Sequence, residues 1–230
     1  MKEACLNIAQ NNTNGFVTQP NRIPLSLKVI YSIFMVVLIP FYWSTYGPTN
    51  FLYFCDVAII LTLIAIWRES RLLVSMAAVG ILIPQVIWVA DFTSTLFGFP
   101  LLGMTEYMFR DSIPLFARSL SSFHGWIPFL LIYLILKLGY DKQALIYWTL
   151  LAWTLMAISY FFLPAPGDVL PSPNIPVNVN YVFGLEETKA QTMMSAGHYF
   201  TLLLLLLPIG IYWPTSKGLE WLDKKFVQTT

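Results

Sequence analysis

Cys55 and His124 are the pair of residues in this sequence best suited to covalent chemistry. A cysteine nucleophile needs a base that raises its thiolate fraction, and an imidazole can act as that base. Cys55 stands in the apolar run NFLYFCDVAII, and His124 stands in SSFHGWIPF, where small neighbours permit close helix approach. These two residues predict acyl transfer, with Cys55 as the catalytic nucleophile and His124 as the catalytic base.

Polar residues elsewhere in the chain could support this pair. A base is itself oriented by a third group, and Asp91, Asn180 or His198 could supply it. A developing oxyanion needs hydrogen-bond donors, for which the candidates are Asn180, Tyr181, Asn50 and Trp126.

Asp56 is predicted to be a supporting residue of the site, and Asp91 has a simpler interpretation as well. Asp56 follows Cys55 but points about 100° away from it on a helix, so we expect it to brace a neighbouring helix. Asp91 lies at the end of an apolar run and, like Glu106, is typical of a solvated loop charge.

Other site chemistries are disfavoured by spacing. The two histidines with Asp and Cys could bind a metal, but the HxxH, HxxxH and HExxH spacings do not occur. There is no GxSxG element and no glycine-rich phosphate loop, so neither a cofactor nor a metal is predicted. The net charge of +1 gives no basic surface for nucleic acid.

The elements that position these residues follow from composition. Of the 230 residues, 57% are hydrophobic and 11% are charged, which is too few charges to cover a soluble domain of this size. Runs of about 20 apolar residues indicate membrane-spanning helices. The sequence therefore predicts an all-α polytopic bundle with six spans, at about 26–46, 49–67, 72–91, 121–139, 144–164 and 195–214.

Lysine and arginine residues set the expected orientation. With six spans, ten of the 13 basic residues fall on the side of the N-terminus and three on the other side. The positive-inside rule then predicts cytoplasmic termini. The segment 92–120 is expected to be re-entrant or interfacial, because a further span there would spoil the asymmetry. The proline-rich segment 165–194 is predicted to be an irregular loop.

The chain is thus divided into a polar N-terminal tail (1–25), one transmembrane domain (26–214) and a C-terminal tail (215–230). The N-terminal residues lack the apolar core of a secretory signal, so the first span is expected to target the protein to a cell or organelle membrane. Cys5 lies in the tail and Cys55 in a span, so a disulfide between them is not expected.

The estimated depths along the predicted spans place the candidate residues at one level in the membrane. Cys55 and Asp56 lie about 10 Å from the non-cytoplasmic end of their span, and His124 lies about 5 Å from the same side. Asp91, His198 and Asn180 are expected near that face as well. The sequence therefore predicts a site at the outer leaflet, with membrane lipids as its surroundings.

Three sequence elements resemble a known family. They are NFLYFCDVAIILTLIAI, SSFHGWIPFLLIYL and VNVNYVFG, and their order and spacing are similar, over about residues 45–214, to the YwaF-like multi-span membrane proteins. The animal relative of that family is transmembrane protein 164, a cysteine-dependent phospholipid acyltransferase. The resemblance implies that Cys55 would carry an acyl group and that His124 would activate it, with phospholipids exchanging acyl chains without coenzyme A.

The leading hypothesis is therefore a lipid acyltransferase or an acyl hydrolase of thioesterase type that acts on a phospholipid or acyl lipid. Two alternatives remain open. One is a non-catalytic membrane scaffold or assembly protein. The other is a small-solute carrier or sensor that uses Asp56 and His198.

Overall fold

The computed structural model describes residues 23–99, 101–170, 172, 174–186 and 189–226. This part of the chain holds eight α-helices and no strand, and it confirms the predicted all-α helix bundle. The helices are α1 (Leu25–Tyr46), α2 (Phe54–Arg68), α3 (Arg71–Leu96), α4 (Leu115–Ser121), α5 (Phe123–Leu138), α6 (Ala144–Phe162), α7 (Ala196–Leu207) and α8 (Trp213–Phe226).

Five helical stretches are long and apolar enough to cross a membrane, which indicates a multi-pass membrane protein. They are α1, α3, α4 with α5, α6, and α7 continued by a π-helical turn into α8. The predicted second span differs, because α2 has 15 residues and begins at Phe54 rather than near position 49. Residues Pro48–Leu52 form a separate 3-10 turn instead. At 1.5 Å per residue α2 is about 22 Å long, shorter than the hydrocarbon core of about 30 Å.

Helix α3 is the centre of the bundle and packs against α2, α5, α6 and α8. Its N-terminus is capped by Ser70, whose hydroxyl accepts a hydrogen bond from the backbone N–H of Leu73. Gly80 permits the closest approach, because a Cβ there would lie 1.9 Å from Cε2 of the fully buried Trp148 on α6. A glycine at this contact brings α3 and α6 together, as small residues do in membrane bundles.

The two ends of the bundle differ in chemistry. At one end, called the basic end here, Lys28 at the start of α1 pairs with Glu69 after α2 at 2.8 Å. Tyr140, after α5, donates to Ser216 of α8 at the same end, at 2.7 Å. The other end, called the loop end here, carries the 3-10 turn before α2 and the segments 97–114 and 163–195.

The segment expected to be re-entrant or interfacial is shorter than predicted. Helix α3 continues to Leu96 and α4 begins at Leu115. Between them the described residues of 97–114 are irregular apart from one 3-10 turn at Glu106–Phe109. Among its described residues no helix is long enough to cross a membrane. The described residues of the segment 165–194 are irregular as predicted, apart from a 3-10 turn at Val179–Tyr181.

The ends of the chain were predicted to be tails. Residues 1–22 and 227–230 lie outside the described residues. The described part of the C-terminal segment is helical, and Leu219 and Asp223 of α8 are buried against the bundle.

Candidate active site

Cys55 lies in the first turn of α2, at the loop end of the bundle. It is a half-buried free cysteine that packs against the hydrophobic core. Within the described residues, no hydrogen bond joins its thiol to the imidazole of His124. The structure therefore places the predicted nucleophile at the predicted end but does not show a bonded Cys–His pair.

His124 is held by a residue that the sequence analysis did not single out. Its Nδ1 atom lies 2.9 Å from Oε1 of Gln85, a buried side chain on α3. With the amide oxygen as acceptor, Nδ1 carries the proton and Nε2 presents a lone pair. The rings of Trp88 and Phe123 lie 5.0 and 4.1 Å from the imidazole, between centroids, and restrict its rotation. These contacts hold the imidazole in one orientation, as a general base requires.

Gln85 was missed because a single glutamine in the apolar run ILIPQVIW has no distinctive spacing. Two features of the run were still informative. Gln85 is the one polar residue between Pro84 and Trp88, and it lies three residues from Trp88, on the same side of the helix. A buried amide in a spanning helix needs a partner, and His124 is that partner.

Asp56 is buried, with a relative exposure of 3%. Its Oδ2 accepts a hydrogen bond from Nδ2 of Asn50 at 3.1 Å, and its Oδ1 is buried without a hydrogen-bond partner in the described residues. Asn50 was a candidate oxyanion donor, but its amide is engaged by this carboxylate. Asp56 therefore holds the 3-10 turn before α2 through its Oδ2 atom, while its Oδ1 atom accepts no hydrogen bond from the described residues.

The side chain of Asn180 binds the backbone of Leu52 and Phe54, the residues on either side of Tyr53 and just before Cys55. Its Oδ1 accepts from the N–H of Phe54 at 3.0 Å, and its Nδ2 donates to the carbonyl of Leu52 at 2.9 Å. The side chain therefore caps the start of α2 from 126 positions away in the chain. Because both of its polar groups are used, Asn180 holds the segment before Cys55 in place and does not orient His124.

The loop that carries Asn180 is held in an unusual backbone conformation. Asn178, Asn180 and Tyr181 have φ values of 51°, 59° and 58°, in the left-handed region that side chains seldom adopt. Asn178, also missed by the sequence analysis, compensates with three hydrogen bonds. Its amide donates to the carbonyls of Gly184 and Glu186, and its Oδ1 accepts from Phe183 N–H.

Asp91 is fully buried, so its interpretation as a solvated loop charge is wrong. Its carboxylate accepts from the N–H groups of Leu102, Gly103 and Thr105 and from the Thr105 hydroxyl, at 2.6 to 3.1 Å. The segment after α3 folds back over the helix end and supplies these donors. Glu106, in contrast, is exposed and pairs with Arg110 at 3.5 Å, as expected of a solvated charge.

His198 lies at the start of α7 and is exposed. Its Nδ1 is 2.6 Å from the hydroxyl of Ser195, which also caps the helix. It therefore belongs to a helix cap and neither orients His124 nor joins Asp56 in a buried cluster. Trp126, another donor candidate, packs its ring against Tyr31 and Phe34 in the core.

Two tyrosines lie next to Ser121, three positions before His124. The Tyr42 hydroxyl lies 3.1 Å from Ser121 Oγ, and it interacts electrostatically with Cys55 and Asp56. Tyr107 lies near Ser121 and Trp88, and it interacts electrostatically with Cys55.

Burial of the Tyr107 hydroxyl raises its pKa, so the hydroxyl remains a donor at neutral pH. We use the name polar layer for a set of polar residues at the loop end of the bundle, which comprises Tyr42, Cys55, Asp56, Gln85, Tyr107, Ser121 and His124.

The structure thus places four predicted residues at the loop end of the bundle, and it separates others. Cys55, Asp56 and His124 belong to the polar layer, and Asn180 clamps the adjoining backbone. Tyr181 interacts electrostatically with Tyr107 and so borders the layer. In the described residues, no three His, Cys, Asp or Glu side chains are grouped to hold a metal ion.

No family model, curated protein or solved structure matches the chain. Functional inference for this protein therefore depends on the geometry of the polar layer.

Proposed function

We propose that the protein is a membrane-embedded enzyme that transfers or hydrolyses acyl groups of lipids, with Cys55 as nucleophile and His124 as general base. One observation carries the proposal. The imidazole is held through Nδ1 by a buried amide, so its Nε2 lone pair is available in the same polar layer as a thiol. A nucleophile, a base and a group that orients the base are the three parts of a Cys–His–amide catalytic arrangement.

The reaction follows from these parts. Nε2 of His124 takes the proton of the Cys55 thiol, and the sulfur attacks the carbonyl carbon of a lipid ester. The bond between that carbon and the alcohol oxygen breaks, and the imidazolium returns the proton to the departing oxygen. Water or the hydroxyl of a second lipid then attacks the thioester carbonyl and gives its proton to Nε2 of His124. The bond between that carbon and the sulfur breaks, and the imidazolium returns the proton to the departing thiolate. Attack by water gives hydrolysis, and attack by the hydroxyl gives transfer.

The neutral donors of the polar layer could stabilise the oxyanion formed in each step. Tyr42 and Tyr107 carry hydroxyls in the same polar layer as Cys55, whereas Asn50 and Asn180 already bind other groups. A preformed donor in a site that excludes water contributes most to acyl transfer. We assign this role to the two tyrosines.

The mechanism requires the thiol and Nε2 to approach each other when substrate binds. Ser122 separates the short helix α4 from α5, so the turn that carries His124 begins at a break in the helix. A Cβ on Gly125 would meet nothing within 4 Å, so that turn has free space on one side. Catalytic hydrogen bonds are often long in the absence of substrate and tighten in the complex.

We also propose an orientation of the protein in the membrane, based on the positive-inside rule. Of the described basic residues, eight lie at the basic end and three at the loop end. The eight are Lys28, Arg68, Arg71, Lys137, Lys142, Lys217, Lys224 and Lys225, and the three are Arg110, Arg118 and Lys189. The basic end is therefore proposed to be cytoplasmic, and the polar layer then faces the outer leaflet.

An acyl-exchange assay tests the proposal. Purified protein in liposomes is given a phospholipid with a labelled acyl chain together with an unlabelled lysophospholipid, and labelled product or free fatty acid is measured. We expect Cys55→Ala and His124→Ala to abolish turnover. Cys5→Ala removes the other cysteine of the chain and should leave turnover unchanged. Turnover that survives Cys55→Ala would contradict the assignment.

Asp56 favours a second candidate function, that of a carrier or sensor for a small solute. Its Oδ1 atom is buried and has no hydrogen-bond partner in the described residues, so it could accept a proton or a cation. The exposed His198 would not share in this site. Uptake or binding that is lost in Asp56→Asn and retained in Cys55→Ala would identify this function. If neither variant affects turnover, uptake or binding, the scaffold alternative follows.

A further inference from the structure

Helix α7 has little of its surface buried in the bundle. Two of its twelve residues, Tyr199 and Phe200, are buried, compared with twelve of the 26 residues of α3. The helix begins at the loop end, where Cys55 also lies, and runs towards α8 at the basic end. Its free end is therefore at the same end of the bundle as the proposed nucleophile.

A small hydrophobic cluster beneath α7 is separate from the main core. Its buried members are Met156 of α6, Val182 of the loop after α6, and Phe200 of α7. Phe54, the residue before Cys55, packs against this cluster as well as against the main core. The cluster therefore links the inner side of α7 to the first turn of α2.

Side-chain contacts from α6 hold α7 in place. The rings of Tyr160 and Phe200 are stacked, with their centroids 4.4 Å apart. The indole N–H of Trp153 donates to the backbone carbonyl of Leu204 at 2.9 Å. In a regular helix that carbonyl would accept from residue 208, but Pro208 has no N–H. Helix α6 thus supplies the donor that α7 lacks, and we call this hydrogen bond the latch.

The backbone between α7 and α8 has the features of a hinge. Pro208–Tyr212 form a π-helical turn that contains a proline and a glycine, and helices bend at such turns. Beyond the turn, α8 is fixed to the bundle. Ser216 accepts a hydrogen bond from the Tyr140 hydroxyl at 2.7 Å, and Asp223 accepts one from the Tyr140 N–H at 2.9 Å. The loop end of α7 is therefore free to move while α8 stays in place.

We infer that α7 is a lateral gate, and that an acyl chain of the substrate lipid binds between α6 and α7 when the gate opens. The inference rests on the proposed function, for which it supplies a route from the bilayer to Cys55. Movement of α7 uncovers Phe54, Met156 and Val182, whose apolar side chains are complementary to a hydrocarbon chain. Opening breaks the latch and leaves a carbonyl without its donor, so the closed position is favoured.

Distances between spin labels test the movement. The labels are attached to Leu202→Cys on α7 and Trp43→Cys at the loop end of α1, both at exposed positions. The full-length protein also carries Cys5→Ser and Cys55→Ser and is held in phosphatidylcholine nanodiscs. We expect a closed and an open distance for this pair, and one distance for Trp43→Cys with Phe162→Cys on α6. A single distance for both pairs would overturn the inference.

Two variants should increase the fraction of open protein. Trp153→Phe removes the donor of the latch, and Phe200→Ala removes the ring that stacks on Tyr160. Each should raise the open fraction about fivefold, as expected for the loss of one hydrogen bond or one aromatic pair. The controls are Trp221→Phe on the exposed face of α8 and Leu205→Ala on the outer face of α7. An equal change in a variant and its control would contradict the gate.

Photolabelling locates the acyl chain. Cys55→Ala protein, which should bind the lipid without consuming it, receives phosphatidylcholine with a diazirine midway along one chain. Mass spectrometry then identifies the labelled residues. We expect label on Met156 and Val182, which are fully buried while the gate is closed, and none on Ile127, which is equally buried in the main core. Adding Trp153→Phe should increase the label about fivefold. Label confined to the outer surface of the bundle would refute the site.

The gate and the proposed function fail in different ways. If turnover depends on Cys55 but Met156 remains unlabelled, the gate is wrong and the acyl-transfer assignment stands. If Met156 is labelled but turnover survives Cys55→Ala, the acyl-chain site stands and the chemistry assigned to Cys55 is wrong.

Discussion

The Nδ1 atom of His124 lies 2.9 Å from the Oε1 atom of Gln85, and this contact holds the imidazole from one side. The two residues are 39 positions apart and come from α5 and α3. An amide cannot take the proton, so its contribution is to hold the tautomer and the orientation of the ring. In the proposed mechanism Gln85 is a positioning residue, and its removal should affect the rate more than substrate binding.

Gln85→Leu should therefore lower kcat for acyl transfer by about 100-fold, the lower part of the range for a well-placed general base. KM should change little, because Gln85 contacts the imidazole and not the lipid. The pH profile separates positioning from packing, since loss of the Nδ1 contact should shift the limb assigned to the base. Gln85→Glu keeps an acceptor oxygen and should retain more activity than Gln85→Leu; equal loss in both variants would argue against positioning.

Asp91→Ala should destabilise the protein through the segment 97–114. The substitution leaves three backbone N–H groups and one hydroxyl without their acceptor, and each buried unsatisfied group costs about 1–3 kcal/mol before the loop relaxes. We expect a loss of about 2–4 kcal/mol in the free energy of unfolding, measured by denaturation in detergent, and faster trypsin cleavage after Arg110. Glu106→Ala removes an exposed carboxylate of the same segment and serves as the control. Equal stability of the two variants would refute the anchoring role.

Asn180→Ala should loosen the start of α2 and thereby the position of Cys55. It removes the acceptor for Phe54 N–H and the donor to the Leu52 carbonyl, and it places alanine at a φ of 59°. We expect a loss of about 2–3 kcal/mol and faster reaction of Cys55 with a small maleimide. Asn180→Asp keeps the acceptor and should lie between alanine and the native residue. His198→Ala, at an exposed helix cap, should leave the reactivity of Cys55 unchanged.

Gly80→Ala should destabilise the contact between α3 and α6. The added methyl would overlap the fully buried indole of Trp148, and overpacking of this kind costs about 1–3 kcal/mol. Thermal unfolding in detergent measures the effect, and Gly125→Ala, where the methyl meets open space, is the matched control. Partial rescue of Gly80→Ala by Trp148→Phe would place the strain at this pair. Additive effects of the two substitutions would exclude it.

The helices could be predicted because apolar runs in the sequence correspond directly to spanning segments. The start of α2 could not be, since the residues before it are apolar as well. Its actual boundary depends on Asn180, which is 126 positions from its partner Phe54. The residues next to Phe54 in the sequence do not indicate such a contact.

The site was predicted in part for the same reason. Ionisable residues in apolar runs drew attention to Cys55, Asp56 and His124, and depth estimates placed them at one end. The role of Asp91 was misjudged, because only the folded loop shows that Leu102 and Gly103 donate to it. Gln85 is uncharged, and its importance follows from the helix that faces it rather than from its own neighbours.

The position of the acyl group during turnover tests the central claim most directly. The protein is mixed with a labelled phospholipid, quenched in acid within the first turnovers and digested, and the labelled peptide is identified by mass spectrometry. We expect the acyl group on the Cys55 peptide as a thioester that neutral hydroxylamine releases, and we expect none in His124→Ala. Turnover with no acyl group on Cys55, or with one that hydroxylamine does not release, would contradict the account.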